Sequence, residues 1–155
     1  MRPAEVLIKT ISTFFYSGYF PLIPGTFASA VALGIIFLIG ANEGLRLLLT
    51  AVFLLAGFLT SGRAEKLFGR KDARCIVIDE FSGIFISFLF VPYDVRLLIA
   101  GFIIFRILDA LKPYPAGRLE QKPGSVGIMC DDIVAGIYTN IILQFVFRFS
   151  LLRIS

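Results

Sequence analysis

Long stretches of this chain are apolar all the way round, and that feature narrows the possible folds most sharply. Segments such as GIIFLIG, LLLTAVFLLAGFL and AGFIIF carry no polar stripe at helical spacing, as a surface helix of a soluble domain would. Five apolar runs stand out, at Phe27–Ala41, Leu45–Thr60, Ile76–Val91, Val95–Leu111 and Ile133–Leu152. Charged residues make up only 17% of the 155, and 17 are phenylalanine, so much of the surface is expected to face lipid. An α-helix needs about 20 residues to cross a bilayer core, with ~17 as the lower end, so several runs are short for a span. The expected fold is all-α: a small multi-pass transmembrane helical bundle forming a single domain over residues 1–155. Residues Glu5–Tyr19 place apolar side chains at helical spacing among polar ones and read as an amphipathic N-terminal helix that lies on the interface or caps the bundle. The start MRPAEVLIKT has no small-residue cleavage site and does not read as a signal peptide.

The net charge of +4 matters less than its placement. Basic residues are split by long apolar runs, which argues against a nucleic-acid partner. The loop Ser61–Arg74 carries Arg63, Lys66, Arg70, Lys71 and Arg74. Lys112, Arg118 and Lys122 lie in the loop Lys112–Asp131, and Arg2 and Lys9 at the N-terminus. The tight connections at Asn42–Gly44 and Pro92–Asp94 contribute only Arg46 and Arg96. The positive-inside rule then puts the N-terminus and both basic loops in the cytoplasm and the tight connections outside. Arg148 and Arg153, near the C-terminus, disagree mildly with that arrangement. Two cysteines, Cys75 and Cys130, with no CxxC spacing and no histidine, point to free thiols and not to a zinc site or disulfide framework.

Carboxylates near a bilayer are costly, at about +3 kcal/mol for a mid-membrane Asp on insertion scales. Asp79–Glu80 stand just inside the third run, Arg106 and Asp109 end the fourth, and Asp131–Asp132 open the fifth. The expected topology brings all of them to one membrane face. Five carboxylates at one level repel unless cations neutralise them. An oxygen-only donor set suits Mg²⁺ or Mn²⁺. Each group also has a purely structural reading. Asp131–Asp132 suit a helix N-terminus, and Arg106, Asp109 and Lys112, spaced i, i+3, i+6, suit an ion-pair ladder. Pro24–Gly25 precede a helix that Thr26 or Ser29 would cap, leaving an N-terminus fit for phosphate. A phosphohistidine mechanism lacks its histidine. Neither cysteine has an arginine six residues on, and there is no Asp-x-Asp pair.

In order along the chain, GYFPLIPGTFAS, IDEFSG, FRILDALKPYP and GIMCDDIVAG resemble blocks of the phosphatidylglycerophosphatase A family, from about Ser17 to Ile142. The resemblance implies a Mg²⁺-dependent membrane enzyme that hydrolyses phosphatidylglycerol phosphate to phosphatidylglycerol and phosphate, at the cytoplasmic face of a bacterial inner membrane. It singles out Gly25, Thr26, Asp79, Glu80, Gly83, Arg106, Asp109, Lys112, Pro113, Gly127, Asp131 and Asp132. Asp79, Glu80, Asp131 and Asp132 are then the expected Mg²⁺ ligands, with Asp109 a further ligand or general base. Gly25, Thr26, Arg106 and Lys112 bind the phosphate. Many relatives have an Asp-Arg pair where this chain has Glu120–Gln121, and Arg118 is the substitute considered for the lost arginine; paired glycines are replaced by Gly124–Ser125. The competing readings are a phosphatase for another phospholipid headgroup and a small membrane ion or metal transporter. The latter predicts polar residues through the depth of the spans.

Overall fold

The structure, a computed structural model, describes residues 2–71 and 73–152; Arg153 therefore lies outside the described residues. Among these there are seven α-helices and no strand. They are α1 (Pro3–Ser12), α2 (Pro24–Ile39), α3 (Glu43–Phe68), α4 (Ile78–Ser87), α5 (Val95–Leu111), α6 (Ala116–Leu119) and α7 (Ser125–Leu152), with one 3₁₀ turn at Ser17–Tyr19.

Local chemistry sets most boundaries. Proline opens α1 and α2, where its missing N–H costs nothing. The Asn42 side chain accepts from the Leu45 N–H at 3.1 Å to cap α3. Asp94 accepts from the Arg96 N–H at 2.7 Å to cap α5. The N-terminal helix ends at Ser12. The chain then turns through left-handed Phe14, Phe15 and Tyr16, stacking the Phe14 ring on Phe81 with centroids 3.7 Å apart. Helix α1 itself packs against α3, and the turn after it sets Phe14 against Phe53 and Phe81 in the core.

Of the five expected runs only the fourth, Val95–Leu111, keeps its bounds, and two of the others lie inside much longer helices. The helix containing the second run continues two turns past Thr60, and α7 begins at Ser125, eight residues before the fifth run. An apolar run marks where lipid contact begins and ends, whereas a helix continues as long as its backbone is satisfied. At 1.5 Å per residue the 26-residue α3 is about 39 Å long and the 28-residue α7 about 42 Å. These two are long and apolar enough to cross a membrane. The overhangs are tied together: Ser125 Oγ accepts from the Gly62 N–H at 2.9 Å and donates to the Phe58 carbonyl at 2.8 Å.

The third run departs most from expectation. Only ten of its residues, Ile78–Ser87, are helical, and at about 15 Å this helix cannot cross a bilayer. Nine of the ten are buried, among α2, α3, α5 and α7. Its apolar character all round comes from being the core of the bundle, not from facing lipid. A helix that stops inside a bundle exposes its last carbonyls where no water can reach them. Two polar side chains answer that need. Asn140 Nδ2 donates to the carbonyls of Ile86, Ser87 and Leu89 at 3.1, 3.2 and 2.7 Å. The buried Arg46 donates to those of Phe88 and Val91 at 3.3 and 2.9 Å, and also to Gly40 at the end of α2.

Along its length α4 lies backbone to backbone with α7. A Cβ on Gly136 would stand 2.5 Å from the Gly83 carbonyl oxygen, so only glycine permits this approach. Exposed apolar stripes cover the outside, as at Val95, Ile99, Ile103, Ile107 and Leu111 on α5, all more than a third exposed. The N-termini of α2, α4 and α7 and the C-terminus of α5 meet at one end of the bundle.

Candidate active site

That end holds a cavity of about 320 Å³. Its wall takes Pro24, Gly25 and Thr26 from the first turn of α2, and Asp79 and Glu80 from the first turn of α4. Arg106 and Asp109 come from the last turns of α5, Lys112 from its cap, and Asp131 and Asp132 from the second turn of α7. Leu22, Ile23, Arg74 and Ile76 complete it. Neighbouring residues on a helix diverge by about 100°, so each acidic pair splits between two directions.

Glu80 turns towards α5 and α2. Its Oε2 lies 2.6 Å from Arg106 Nη1 and accepts from the Ser29 hydroxyl at 2.7 Å. The same Arg106 nitrogen is 2.9 Å from Asp109 Oδ2. A Cβ at position 25 would collide with Glu80 Oε1, so glycine there lets Glu80 keep this position. On the other side, Lys112 Nζ bridges Asp131 Oδ2 at 2.8 Å and Glu120 Oε1 at 2.6 Å. Burial alone would pull the Lys112 ammonium down, but its hydrogen bonds to Asp131 and Glu120 outweigh it and hold the pKa above the ordinary lysine value.

These ion pairs leave the acidic centre short of positive charge. Oxygens of Asp109, Asp131 and Asp132 lie within 4.8 Å of one another. Asp131 Oδ1 and Asp132 Oδ2 are buried with no hydrogen-bond partner. Buried polar atoms without partners are rare and expensive, and a carboxylate more so than a neutral group. The cavity wall carries five carboxylates against Arg74, Arg106 and Lys112, a formal excess of two negative charges. One divalent cation matches that excess, and the oxygen-only donors fit a hard ion such as Mg²⁺.

A model of the phosphatidylglycerophosphatase A family matches residues 10–147, a stretch that contains every residue of the cavity. The chain belongs to that family. Two relatives bear the phosphatidylglycerophosphatase A name. One, from Escherichia coli, is 37% identical over 135 residues, covering 85% of this chain and 78% of its own. The other, from Haemophilus influenzae, is 34% identical and covers 88% and 86%. A protein of Bacteroides thetaiotaomicron provisionally named phosphatidylinositol-3-phosphatase is 34% identical over 92% of this chain and 95% of its own. No solved structure matches.

Of the positions that the phosphatidylglycerophosphatase A resemblance marks for ligand or phosphate roles, Gly25, Thr26, Asp79, Glu80, Arg106, Asp109, Lys112, Asp131 and Asp132 all line the one cavity. Arg118 does not. It sits on α6 with its guanidinium 5.1 Å from the centre of the Tyr114 ring. The three carboxylates that converge are Asp109, Asp131 and Asp132, while Glu80 is committed to Arg106 and Ser29. Half of the expected ladder forms: Arg106 pairs with Asp109, but Lys112 turns to α7 and α6. Asp131–Asp132 do not open their helix, because α7 starts at Ser125. Neither Thr26 nor Ser29 caps α2; Ser29 lies a turn inside it and holds Glu80. Arg74 reads from the sequence as loop charge alone, yet it stands on the cavity wall. Its place on the cavity wall could have been suspected from its position, four residues before α4 begins.

Proposed function

We propose that this chain is a Mg²⁺-dependent phosphatase that removes the terminal phosphate of phosphatidylglycerol phosphate, with its site facing the cytoplasm of a bacterial inner membrane. The observation that carries this reading is the cluster of half-buried Asp109 with buried Asp131 and Asp132, two of whose oxygens lack a hydrogen-bond partner, beside two cations held by ion pairs.

Asp109, Asp131 and Asp132 would hold the ion, which when bound offsets their charge and draws electron density from the phosphoryl oxygens. Arg106 and Lys112 are held in place by carboxylates on either side, so they are oriented before substrate arrives and need little reorganisation as charge develops on the phosphate. Glu80 and Ser29 fix Arg106, and Glu120 and Asp131 fix Lys112. The uncapped first turn of α2 at Gly25–Thr26 adds N–H groups on the same cavity wall. Only the headgroup need enter, because the cavity opens where the apolar surface of the bundle ends.

Charge placement supports the orientation. The site end carries Arg63, Lys66, Arg70, Lys71, Arg74 and Lys122. In the two tight connections Arg46 is spent on carbonyls and Glu43, and Arg96 pairs with Asp94 at 3.1 Å. A transport pathway finds no support in the helix centres. The hydroxyls of Thr50, Ser82, Ser87 and Thr139 each donate to a carbonyl one turn back on their own helix.

A second headgroup is raised by the Bacteroides thetaiotaomicron relative, whose name assigns it phosphatidylinositol 3-phosphate. Purified protein in detergent, given either lipid with and without Mg²⁺, decides between them by phosphate release. The glycerol lipid should be the better substrate, and chelation should stop the reaction. Asp131→Asn should lower turnover more than about 100-fold, beyond the 10- to 100-fold typical of outer-shell groups. Full activity in that variant removes the metal assignment, and release from neither lipid removes the enzyme reading.

A further inference from the structure

We infer that Arg74 is a headgroup-binding residue that grips the second, phosphodiester phosphate of the lipid, an inference that rests on the function proposed above. Of the three cations on the cavity wall, Arg106 and Lys112 are each held by two carboxylates. Arg74 has no carboxylate partner among the described residues and is exposed. Among the described residues it is thus the cavity cation that no carboxylate holds away from an incoming anion.

Position fits that role. The wall is acidic and buried at Asp131 and Asp132, but its rim has the apolar pair Leu22 and Ile23, 82% and 56% exposed. Gly18, in the 3₁₀ turn leading to that pair, is pressed against the backbone of Cys75, the residue after Arg74. Arg74 is therefore held on the side of the cavity where the lip begins. A lipid with a terminal phosphomonoester and a glycerol-linked phosphodiester enters terminal phosphate first. Its acyl chains stay with the apolar lip. The diester then trails at the rim, beside a guanidinium that no described carboxylate holds and whose planar fork suits phosphate oxygens.

The test compares Arg74→Gln and Arg74→Lys with the wild-type enzyme, using two inhibitors of lipid hydrolysis. Phosphatidylglycerol in mixed micelles offers the diester alone; inorganic phosphate offers the transferred group alone. Arg74→Gln should weaken inhibition by phosphatidylglycerol and raise KM for the substrate, each about tenfold, as loss of a charged hydrogen-bond pair predicts. Inhibition by inorganic phosphate should hold, and Arg74→Lys should recover part of the loss. Equal weakening towards both inhibitors, or towards neither, overturns the assignment while leaving the phosphatase reading intact. Absence of phosphate release by the wild-type protein would end both.

Discussion

At the scale of single residues, the site works through contacts that leave little room for a substitute. Gly25 is the sharpest example. An alanine there meets the far end of the Glu80 side chain, which can swing aside, so the fold should survive. What should not survive is the aim of Arg106, because Glu80 Oε2 is one of its two anchors. Gly25→Ala is expected to lose about 10- to 100-fold in turnover, the range for a lost outer-shell partner. Its melting temperature in detergent should stay near that of the wild type. A large loss of stability with unchanged specific activity would refute this. The acidic residues were legible from their chemistry alone, since five carboxylates beside a membrane demand a reason. The pairing was not. Nothing in spacing says that Lys112 prefers Asp131 and Glu120 over Asp109, one turn back on its own helix, because that choice depends on how α5, α6 and α7 meet.

At the scale of elements, α4 is the informative one. Its sequence reads as a membrane run of 16 residues, within a turn or so of a span, yet only ten of them are helical. The sequence signal for lipid and for a protein core is the same, so composition could not separate them. The clue lay elsewhere, in Asn140 within the fifth run and Arg46 at the start of the second, polar residues with no evident purpose until the end of α4 is placed beside them. Asn140→Leu keeps the volume but abandons three carbonyls, and Gln144, which donates to Asn140 Oδ1 at 2.7 Å, loses its acceptor. A destabilisation of about 2–3 kcal/mol is expected from the buried acceptors left unmade, read as a lower midpoint in thermal or denaturant unfolding in detergent. An unchanged midpoint would mean that α4 is capped in some other way.

At the scale of the whole molecule, the alternation of helices across the bundle was readable from loop charge, and the gathering of the acids at one end follows from it. The bundle gains a direct check from thiol labelling. Cys75 and Cys130 are free and would first be replaced by serine. A single cysteine at Lys71, on the site end, should resist a membrane-impermeant maleimide applied to intact cells, while one at Arg96, in the far connection, should react. Labelling of both from outside would place the two ends on the same side and contradict a bundle that crosses the bilayer.

The contact between Gly83 and Gly136 reaches beyond packing. Since a single methyl group cannot be inserted between those backbones, a side chain at either position would push α4 and α7 apart and carry the acids of the two helices away from each other. The parts of the cavity wall outside that contact are Leu22–Thr26 and the C-terminal end of α5. An inherited centre of this kind can keep its chemistry while mutations in the surrounding loops retune which headgroup it accepts, and relatives named for different lipids are the pattern such an architecture would leave behind.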